Sequence, residues 1–521
     1  MRRIVRDRRR DGRVQPAGTL EPVEYPLRGL LIAAALILAG CQAVGTAGQS
    51  APAIDAQALR GAANDEMTRR FYEARNWQTV WTDELAAALE RALADAPRHG
   101  LDPARWLDPV RAASEPAARE AALTRAALGY ADALAGGLLD PARLRQPYTV
   151  PRPRFDEAAA LNAAVSEGRD LAAWFAGLAP QEEEYRALSE AYLAARGQAQ
   201  SRQPIPSGSA IRPGGADRRL PAIAAALAAD GYVQRPASPP ARYDSGLVPA
   251  VRRLQEDYGL TANGLIGPDT LAALNEGALG RARALAVNLE RRRWLARETP
   301  ATRIDVNTAA ATLTFWQDNQ ATDQRRVVVG EPGNETPELG SPIYRLVANP
   351  TWTVPRSIQE EEIEPLGAGY MARNNMEWRD GWIVQRSGPE NSLGLVKFDM
   401  RNDHAIYLHD TPAQALFGED DRHFSHGCVR VQDALGFAAM IAGRQGVRTE
   451  WEQARATGEE TFVALPRPIP VRLMYHTAFV EGGRVRFRLD AYDWDEAVAR
   501  ALGFPARPAR PARAHRRSIG P

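Results

Sequence analysis

Residues 425–430 read Ser-His-Gly-Cys-Val-Arg, and Cys428 in this hexapeptide is one of two cysteines in a chain of 521 residues. A thiol is a strong nucleophile only when its surroundings favour the thiolate, and a histidine is the usual agent. His426 stands two residues before Cys428, and fifteen residues separate His409 from the hexapeptide. Gly427 lets the backbone approach a substrate closely, with two successive N–H groups directed at an oxyanion. The pattern predicts a cysteine enzyme that transfers acyl groups.

The same residues allow two simpler interpretations. A single cysteine beside a glycine is most often a buried structural residue. A zinc site is the other alternative, although the spacing of its candidate ligands matches no standard zinc pattern. Those ligands are His404, His409, His423, His426 and Cys428. The flanking histidines favour the nucleophile over both, so we predict neither a metal nor a cofactor.

Length and charge limit the possible architectures and partners. A chain of 521 residues is too long for one hydrophobic core, so two to four domains are expected. The formal net charge of +1 gives no electrostatic case for nucleic acid as a partner.

The first 45 residues predict export. An arginine-rich stretch precedes the apolar segment 29–38, which is short for a bilayer span but fits the apolar core of an export signal. The tetrapeptide Leu38-Ala39-Gly40-Cys41 resembles the processing box of bacterial lipoproteins, in which the cysteine is lipidated. An uncleaved signal anchor is the alternative. Both interpretations predict a periplasmic, membrane-attached protein, and lipidation of Cys41 would leave Cys428 unpaired.

The segment 57–197 predicts a helical scaffold. It is rich in alanine and leucine and is punctuated by Gly-Leu-Asp-Pro at 100–103 and Gly-Gly-Leu-Leu-Asp-Pro at 136–141. These are good signals for ending one helix and starting the next. The segment has no clustered acids, histidines or glycine loops, so we assign it no chemistry.

Residues 218–277 form a second compact unit. The chain turns through the glycine-rich stretch 259–267, after which Pro268 suits the first position of a helix. A buried stripe recurs at helical spacing on the preceding helix: Leu247, Val251, Leu254 and Tyr258. The pattern resembles the small three-helix peptidoglycan-binding module, marked by a Leu-Gln helix, spaced glycines and Thr-Leu. A generic helical hairpin is the alternative.

The pattern changes to β after residue 300. We expect strands at 303–306, 311–316, 325–329, 344–348, 394–398 and 405–408. Mixed polar and aromatic sequence at about 358–393 interrupts them, and we interpret it as a cap inserted over the site. A late hairpin over 471–489 is expected to add an edge pair of strands. The tail 504–521 is expected to be disordered.

The spacing from His409 to Cys428 resembles that of L,D-transpeptidases of the YkuD type. Their motif is a histidine, about fifteen residues, and then Ser/Thr-His-Gly-Cys-x-Asn/Arg. Stretches at 349–358, 388–394 and 407–412 further resemble the large YcbB-like subgroup. The resemblance covers roughly residues 60–490. It implies a multidomain α+β protein with an N-terminal α-helical scaffold, a small three-helix peptidoglycan-binding module, and a mostly-β catalytic domain at 300–490 carrying the cap.

The resemblance implies that Cys428 is the nucleophile and His409 its base. In this family a backbone carbonyl often orients the histidine, and Asp410 would supply it here. The side chain of Asp410 is disfavoured as a third triad member because adjacent side chains rarely face each other.

The remaining motif residues receive supporting roles from the same resemblance. The N–H groups of Gly427 and Cys428 would form an oxyanion hole. His426 and Arg430 would position the substrate, the latter through its planar guanidinium. Ser425 would anchor the loop.

The implied reaction is a two-step exchange on peptidoglycan stem peptides. The enzyme would release D-alanine from a tetrapeptide stem and form a 3→3 cross-link to a neighbouring stem. Carboxypeptidase activity, attachment of a protein to the wall, and a non-catalytic wall-anchoring lipoprotein are the alternatives. The expected partners are peptidoglycan stem peptides and glycan, with the membrane reached through Cys41 or a signal anchor.

Overall fold

The computed structural model describes residues 54–507, apart from Gln146, 200–201, 235–237 and Pro239. The predicted export segment and Cys41 lie outside the described residues, as does the tail beyond 507. Within the described residues, no helix is long and apolar enough to cross a membrane.

The N-terminal part is helical, as predicted. Aspartate or threonine side chains cap several helices by accepting hydrogen bonds from N–H groups of the first turn, for example Asp65, Thr82 and Asp170. The helices are α1 Ala56–Ala62, α2 Glu66–Glu73, α3 Asp83–Ala94, α4 Ala104–Ala112, α5 Pro116–Gly136, α6 Pro141–Leu144, α7 Glu157–Ser166, α8 Leu171–Leu178 and α9 Glu183–Gly197. The long helix α5 is buried along most of its length and forms the centre of this bundle.

The second unit consists of α10 Leu220–Ala229, α11 Leu247–Asp257 and α12 Pro268–Trp294. The predicted apolar stripe of α11 is buried. Gln255 links the helices because its amide donates to the Leu265 carbonyl (2.9 Å) and accepts from the Gly264 N–H (2.9 Å). Helix α12 bends at Gly277, whose φ of +57° favours glycine, and then continues beyond the module to Trp294.

The scaffold, the module and the end of the chain share one hydrophobic core. Leu128 of α5, Leu254 of α11 and Leu285 of α12 belong to it, together with Phe487 and Val498 from the C-terminal part. These units therefore depend on each other for burial of apolar surface.

The catalytic part is built on one large sheet with a separate core. Its strands, in chain order, are β1 Arg303–Asn307, β2 Thr312–Gln317, β3 Gln320–Gly330, β4 Ile343–Ala348, β8 Val396–Met400, β9 Leu408–His409, β10 His423–Ser425, β11 Val429–Val431, β12 Thr461–Ile469 and β13 Val471–Met474. The order across the sheet is β12-β4-β8-β9-β11-β3-β2-β1-β13, and β10 pairs with β3. Helices α15 Ala434–Gln445 and α16 Arg448–Ala456 pack against the sheet.

The cap is a small unit with its own core. It contains β5 Trp352–Thr353, α13 Arg356–Ile358, a π-helical turn Gln359–Ile363, α14 Gly367–Arg373, β6 Met376–Arg379 and β7 Trp382–Gln385. The strands form a three-stranded sheet in the order β5-β7-β6. Trp352, Ile363 and Ile383 are among the residues of its buried cluster.

Two strand predictions were wrong in part. The run 405–408 is a strand only from Leu408, because Ala405 has a φ of +54° that breaks the extended conformation. Only the first part of the late hairpin extends the main sheet: β13 pairs in parallel with β1 as its edge strand, whereas β14 Ala478–Glu481 and β15 Arg484–Phe487 form a separate two-stranded sheet. That hairpin packs on α9 and α12, and α17 Asp495–Ala501 also packs on α12.

The first residues of the predicted disordered tail are held in place. Phe504 packs against the shared core, and the Pro505 carbonyl accepts a hydrogen bond from Arg283 (2.6 Å). Arg507 forms an ion pair with Glu276.

Candidate active site

The predicted nucleophile and base come from neighbouring strands in the centre of the sheet. Strands β9 and β11 are parallel, with His409 opposite Arg430 and Leu408 opposite Val429. Cys428 immediately precedes β11, and the N–H of Val429 donates to the Tyr407 carbonyl at 3.1 Å. Cys428 is 5% exposed and His409 is fully buried. The sheet register thus places the two sequence-distant residues on adjacent strands.

The loop before Cys428 is held by its own side chains and by a neighbouring segment. Ser425 Oγ donates to the Cys428 carbonyl (2.6 Å), and Thr336 Oγ1 donates to the Gly427 carbonyl (2.8 Å). Gly427 has a φ of +110°, a region that favours glycine. Its N–H donates to Ser425 Oγ at 3.2 Å. This hydrogen bond occupies the first of the two N–H groups that were predicted to bind an oxyanion.

His409 is oriented by the backbone of the next residue. Its Nδ1 lies 2.5 Å from the Asp410 carbonyl oxygen. A carbonyl oxygen only accepts, so Nδ1 carries the proton and Nε2 is the basic nitrogen. The Asp410 carboxylate is occupied elsewhere, accepting from the Leu395 N–H at 3.0 Å. The side chain of Asp410 therefore does not complete a triad in this structure.

The environment of Cys428 favours the neutral thiol. Burial raises the pKa of Cys428 to about 11, although hydrogen bonding to Tyr407 and the charges of Lys397 and Arg430 act in the opposite direction. The thiol is 3.5 Å from the Ala405 carbonyl oxygen, to which it donates. Cys428 is therefore a protonated thiol at neutral pH in this environment.

Tyr407 and Lys397 also belong to the site, although the sequence analysis gave them no role. The Tyr407 ring packs edge-on against the His409 ring, with centroids 5.7 Å apart. Lys397 Nζ lies 4.2 Å from the centre of the Tyr407 ring and 2.8 Å from Asp399. Burial, followed by the charge of Cys428, raises the pKa of Tyr407 well above its ordinary value. Lys397 of β8 is in register with His409 of β9, a pairing that the sequence does not specify.

The cap contacts the loop that precedes Cys428 through a hydrogen bond between side chains. Oε1 of Glu362, in the π-helical turn, lies 2.6 Å from Nε2 of His426. Both side chains are largely enclosed, with 12% of His426 and 17% of Glu362 exposed. The cap is therefore closed over the residue next to Gly427, and Glu362 is a further site residue that the sequence analysis missed.

Residues 301–459 match the family described as "L,D-transpeptidase catalytic domain". The chain carries an L,D-transpeptidase catalytic domain. Two other families match the preceding parts: "Scaffold domain" over residues 66–191 and "Putative peptidoglycan binding domain" over residues 220–274. The predicted family and the order of its parts are confirmed.

Individual relatives of the L,D-transpeptidase domain are distant. A "Putative L,D-transpeptidase" of Haemophilus influenzae is 28% identical over 219 residues, which are 37% of this chain and 45% of that protein. The chain thus spans less than half the length of that relative. A solved L,D-transpeptidase from Xylanimonas cellulosilytica is 15% identical and covers 51% of this chain and 98% of its own, with a TM-score of 0.18. One from Stackebrandtia nassauensis is 13% identical and covers 54% of this chain and 99% of its own, with a TM-score of 0.21.

Arg430 of the L,D-transpeptidase domain is buried rather than exposed at the surface. It is 2% exposed, and burial lowers its pKa to about 10. Its charge acts on Cys428, where it lowers the pKa of the thiol. The predicted role of Arg430 in positioning the substrate stays a prediction.

The histidines considered for zinc are dispersed in the L,D-transpeptidase domain. His423 binds Asp421 through Nδ1 (2.6 Å) and the Thr308 carbonyl through Nε2 (3.1 Å). His404 is exposed. Among residues 54–507 that the structure describes, no three or more His, Cys, Asp or Glu side chains are grouped to hold a metal.

Proposed function

We propose that this chain is a peptidoglycan L,D-transpeptidase that forms 3→3 cross-links through a thioester on Cys428. The hydrogen bond from His409 Nδ1 to the Asp410 carbonyl supports this most directly, because it leaves Nε2 as the basic nitrogen of a histidine on the strand beside the cysteine. Cys428 is not in a disulfide.

In the first step the enzyme takes an acyl group from a donor stem. His409 Nε2 accepts the proton of the Cys428 thiol, and the thiolate attacks the carbonyl carbon between the third residue of the stem and its terminal D-alanine. The tetrahedral oxyanion collapses, the C–N bond breaks, and His409 gives the proton to the departing amine. D-alanine leaves, and the third residue stays bound to Cys428 as a thioester.

In the second step an amine replaces the thiol. The side-chain amine on the third residue of a neighbouring stem attacks the thioester carbonyl and gives a proton to His409. The C–S bond breaks, the thiolate of Cys428 takes the proton back from His409, and an amide joins the two third residues. Attack by water in place of the amine would release a tripeptide stem and make the enzyme a carboxypeptidase.

The loop must rearrange when the oxyanion forms. We assign the Gly427 and Cys428 N–H groups as its donors, each contributing on the order of 3 kcal/mol in comparable acyl-transfer sites. The Gly427 N–H donates to Ser425 Oγ in the free protein. Ser425 therefore holds the loop before substrate binds and gives up this bond to the transition state.

The proposed function places the protein in the cell envelope. We propose further that the export segment is processed at Cys41 and that a lipid on this residue holds the catalytic part near the membrane. Labelling with a fatty-acid analogue tests this: wild-type chain should carry the label, and Cys41→Ala should not. Equal labelling of both would refute lipidation at Cys41.

The enzymatic proposal is tested on a purified disaccharide-tetrapeptide. Wild-type chain should release D-alanine and produce 3→3 dimers detectable by mass spectrometry, and Cys428→Ala and His409→Ala should do neither. Free D-alanine without dimers would favour the carboxypeptidase alternative. Release of neither product, together with no mass adduct after exposure to a carbapenem, would refute the enzyme.

A further inference from the structure

A cavity of about 410 Å³ lies away from the catalytic loop, where three parts of the chain meet. Ala195 of α9 contributes from the scaffold, Tyr232 and Arg253 from the module, and Arg484 from the C-terminal hairpin. None of its described lining residues belongs to the catalytic motif. The volume is within the range of small-molecule and cofactor sites.

The carboxylates at this cavity are already neutralised by arginines. Asp230, 1% exposed, pairs with Arg281 (3.0 Å) and with Arg202 (3.0 Å). Asp257 pairs with Arg486 (2.7 Å) and Arg484 (3.5 Å), and it also accepts from the Tyr232 hydroxyl at 3.0 Å. Each carboxylate thus has two guanidinium neighbours.

Positive charge is in excess among the residues that line the cavity. Arg253 and Arg484 are exposed at its rim, and Arg253 donates only to a backbone carbonyl, that of Tyr232, among the described contacts. Nη1 of Arg281 is buried and donates no hydrogen bond to any residue that the structure describes. The wall therefore favours a ligand that carries negative charge, and an arginine fork matches a carboxylate.

The other side of the cavity is apolar. Leu285 is 1% exposed and Phe487 is 8% exposed, and Phe487 stacks on Tyr258 with ring centroids 5.5 Å apart. Alanines of α9 complete this surface. These walls fit a ligand in which a carboxylate is attached to a small apolar group, as in a short peptide of alanine-type residues.

We propose that this cavity binds the carboxylate-bearing stem peptide of peptidoglycan as a non-catalytic site. The proposal rests on the proposed function, in which stem peptides are the substrate, and on the match of residues 220–274 to a peptidoglycan-binding family. A stem held here keeps the polymer attached while Cys428 reacts with a different stem. Because the walls come from the scaffold, the module and the hairpin, the bound peptide also holds these three parts together.

The test uses calorimetric titration of disaccharide-tetrapeptide into the full chain carrying Cys428→Ala, which prevents turnover. Two sites per chain are expected. Adding Arg253→Gln and Arg484→Gln should weaken one of them at least tenfold, and adding Arg111→Gln should change neither. Arg111 is an exposed scaffold arginine, and both rim arginines are also exposed, so we expect all three variants to fold. An unchanged melting temperature checks this.

The outcomes separate this proposal from the proposed function. A single site in the parent, or two unchanged sites in the double variant, would overturn the cavity proposal. Displacement of the cavity ligand by inorganic phosphate, or equal binding of a stem with amidated carboxylates, would also overturn the carboxylate assignment. Failure of the chain with intact Cys428 to release D-alanine would refute the proposed function but leave two-site binding as support for the cavity.

Discussion

At the scale of single residues, the reactivity of Cys428 depends on opposing effects on its pKa. Burial raises the pKa to about 11, and Tyr407, Lys397 and Arg430 limit the rise. The thiolate fraction below the pKa increases tenfold per pH unit. We therefore expect alkylation of the native chain by iodoacetamide, followed by mass spectrometry, to be slow at pH 7 and to rise about tenfold per unit up to about pH 9.5.

Two controls make this prediction specific. In urea the thiol regains its ordinary pKa, so the alkylation rate should level off above about pH 9. Lys397→Gln removes a charge that lowers the pKa of Cys428, so the native rate should fall further, whereas Lys397→Arg should preserve it. A native rate that levels off below pH 8 would contradict a raised pKa.

The sequence was sufficient to predict site residues that are neighbours in the chain or that belong to the motif. His409 and Cys428 were predicted from their spacing, and the role of the Asp410 carbonyl follows from its position next to His409. Tyr407 and Lys397 were not assigned because their approach to Cys428 depends on the register of β8, β9 and β11. Glu362 reaches His426 across 64 residues, and no pattern in the sequence specifies that contact.

At the scale of elements, the hydrogen bond between Glu362 and His426 connects the cap to the catalytic loop. Glu362→Ala should release the cap, because its contact with the loop loses a charge-assisted hydrogen bond of about 1.5–3 kcal/mol. Hydrogen exchange measured by mass spectrometry should become at least severalfold faster in 356–373 and remain unchanged in β3. Glu361→Ala, at an exposed neighbouring position, is the matched control. Equal protection of the cap in both variants would show that its own core keeps it closed.

Gln255 should stabilise the peptidoglycan-binding module through its hydrogen bonds. Gln255→Leu leaves the buried Gly264 N–H without its acceptor and removes one of the two hydrogen bonds to the Leu265 carbonyl, which still accepts from Thr270 Oγ1 (3.2 Å). An unpaired buried group costs about 1–3 kcal/mol and a lost hydrogen bond about 0.5–1.5 kcal/mol, so we expect the free energy of unfolding to fall by about 2–4 kcal/mol in urea denaturation. Gln320→Leu, on an exposed part of β3, should change it by less than about 0.5 kcal/mol. A Gln255→Leu chain as stable as the control would refute this role.

The sequence was a good guide to element type and a poor guide to which surface each element covers. Alternating and apolar runs identified most strands of the catalytic sheet, and helical spacing identified the stripe of α11. The C-terminal hairpin was assigned to the sheet because its strands look like edge strands. Its position on α9 and α12 depends on apolar partners, such as Phe487 on Tyr258, that are hundreds of residues apart in the chain or belong to another unit.

At the scale of the whole molecule, the catalytic part is connected to the helical part through the end of the chain. The chain leaves the sheet after β13, forms the hairpin, and ends with α17 against α12. On the other side of the module, Thr261 donates through its N–H (2.8 Å) and hydroxyl (2.6 Å) to Asp420, a few residues before the catalytic hexapeptide. The helical units are therefore connected to the catalytic part at its C-terminal end and near the hexapeptide, and a change in one should be transmitted to the other.

The ion pair between Arg291 of α12 and Asp495 of α17 tests this connection. Its closest atoms are 2.6 Å apart, the side chains are 1% and 6% exposed, and Asp495 also accepts from Thr477 at 2.7 Å. Asp495→Asn keeps the shape but removes the carboxylate paired with the buried guanidinium, while Glu338 and Asp490 still act on it, so we expect the free energy of unfolding to fall by about 3 kcal/mol, the lower end for a broken buried pair. The exposed pair of Asp108 and Arg111, 3.7 Å apart, is the control, and Asp108→Asn should cost less than about 1 kcal/mol. Urea denaturation followed by tryptophan fluorescence measures both. If the two variants were equally stable, the buried pair would contribute no more than the exposed pair, and the attachment of α17 to α12 would not depend on it.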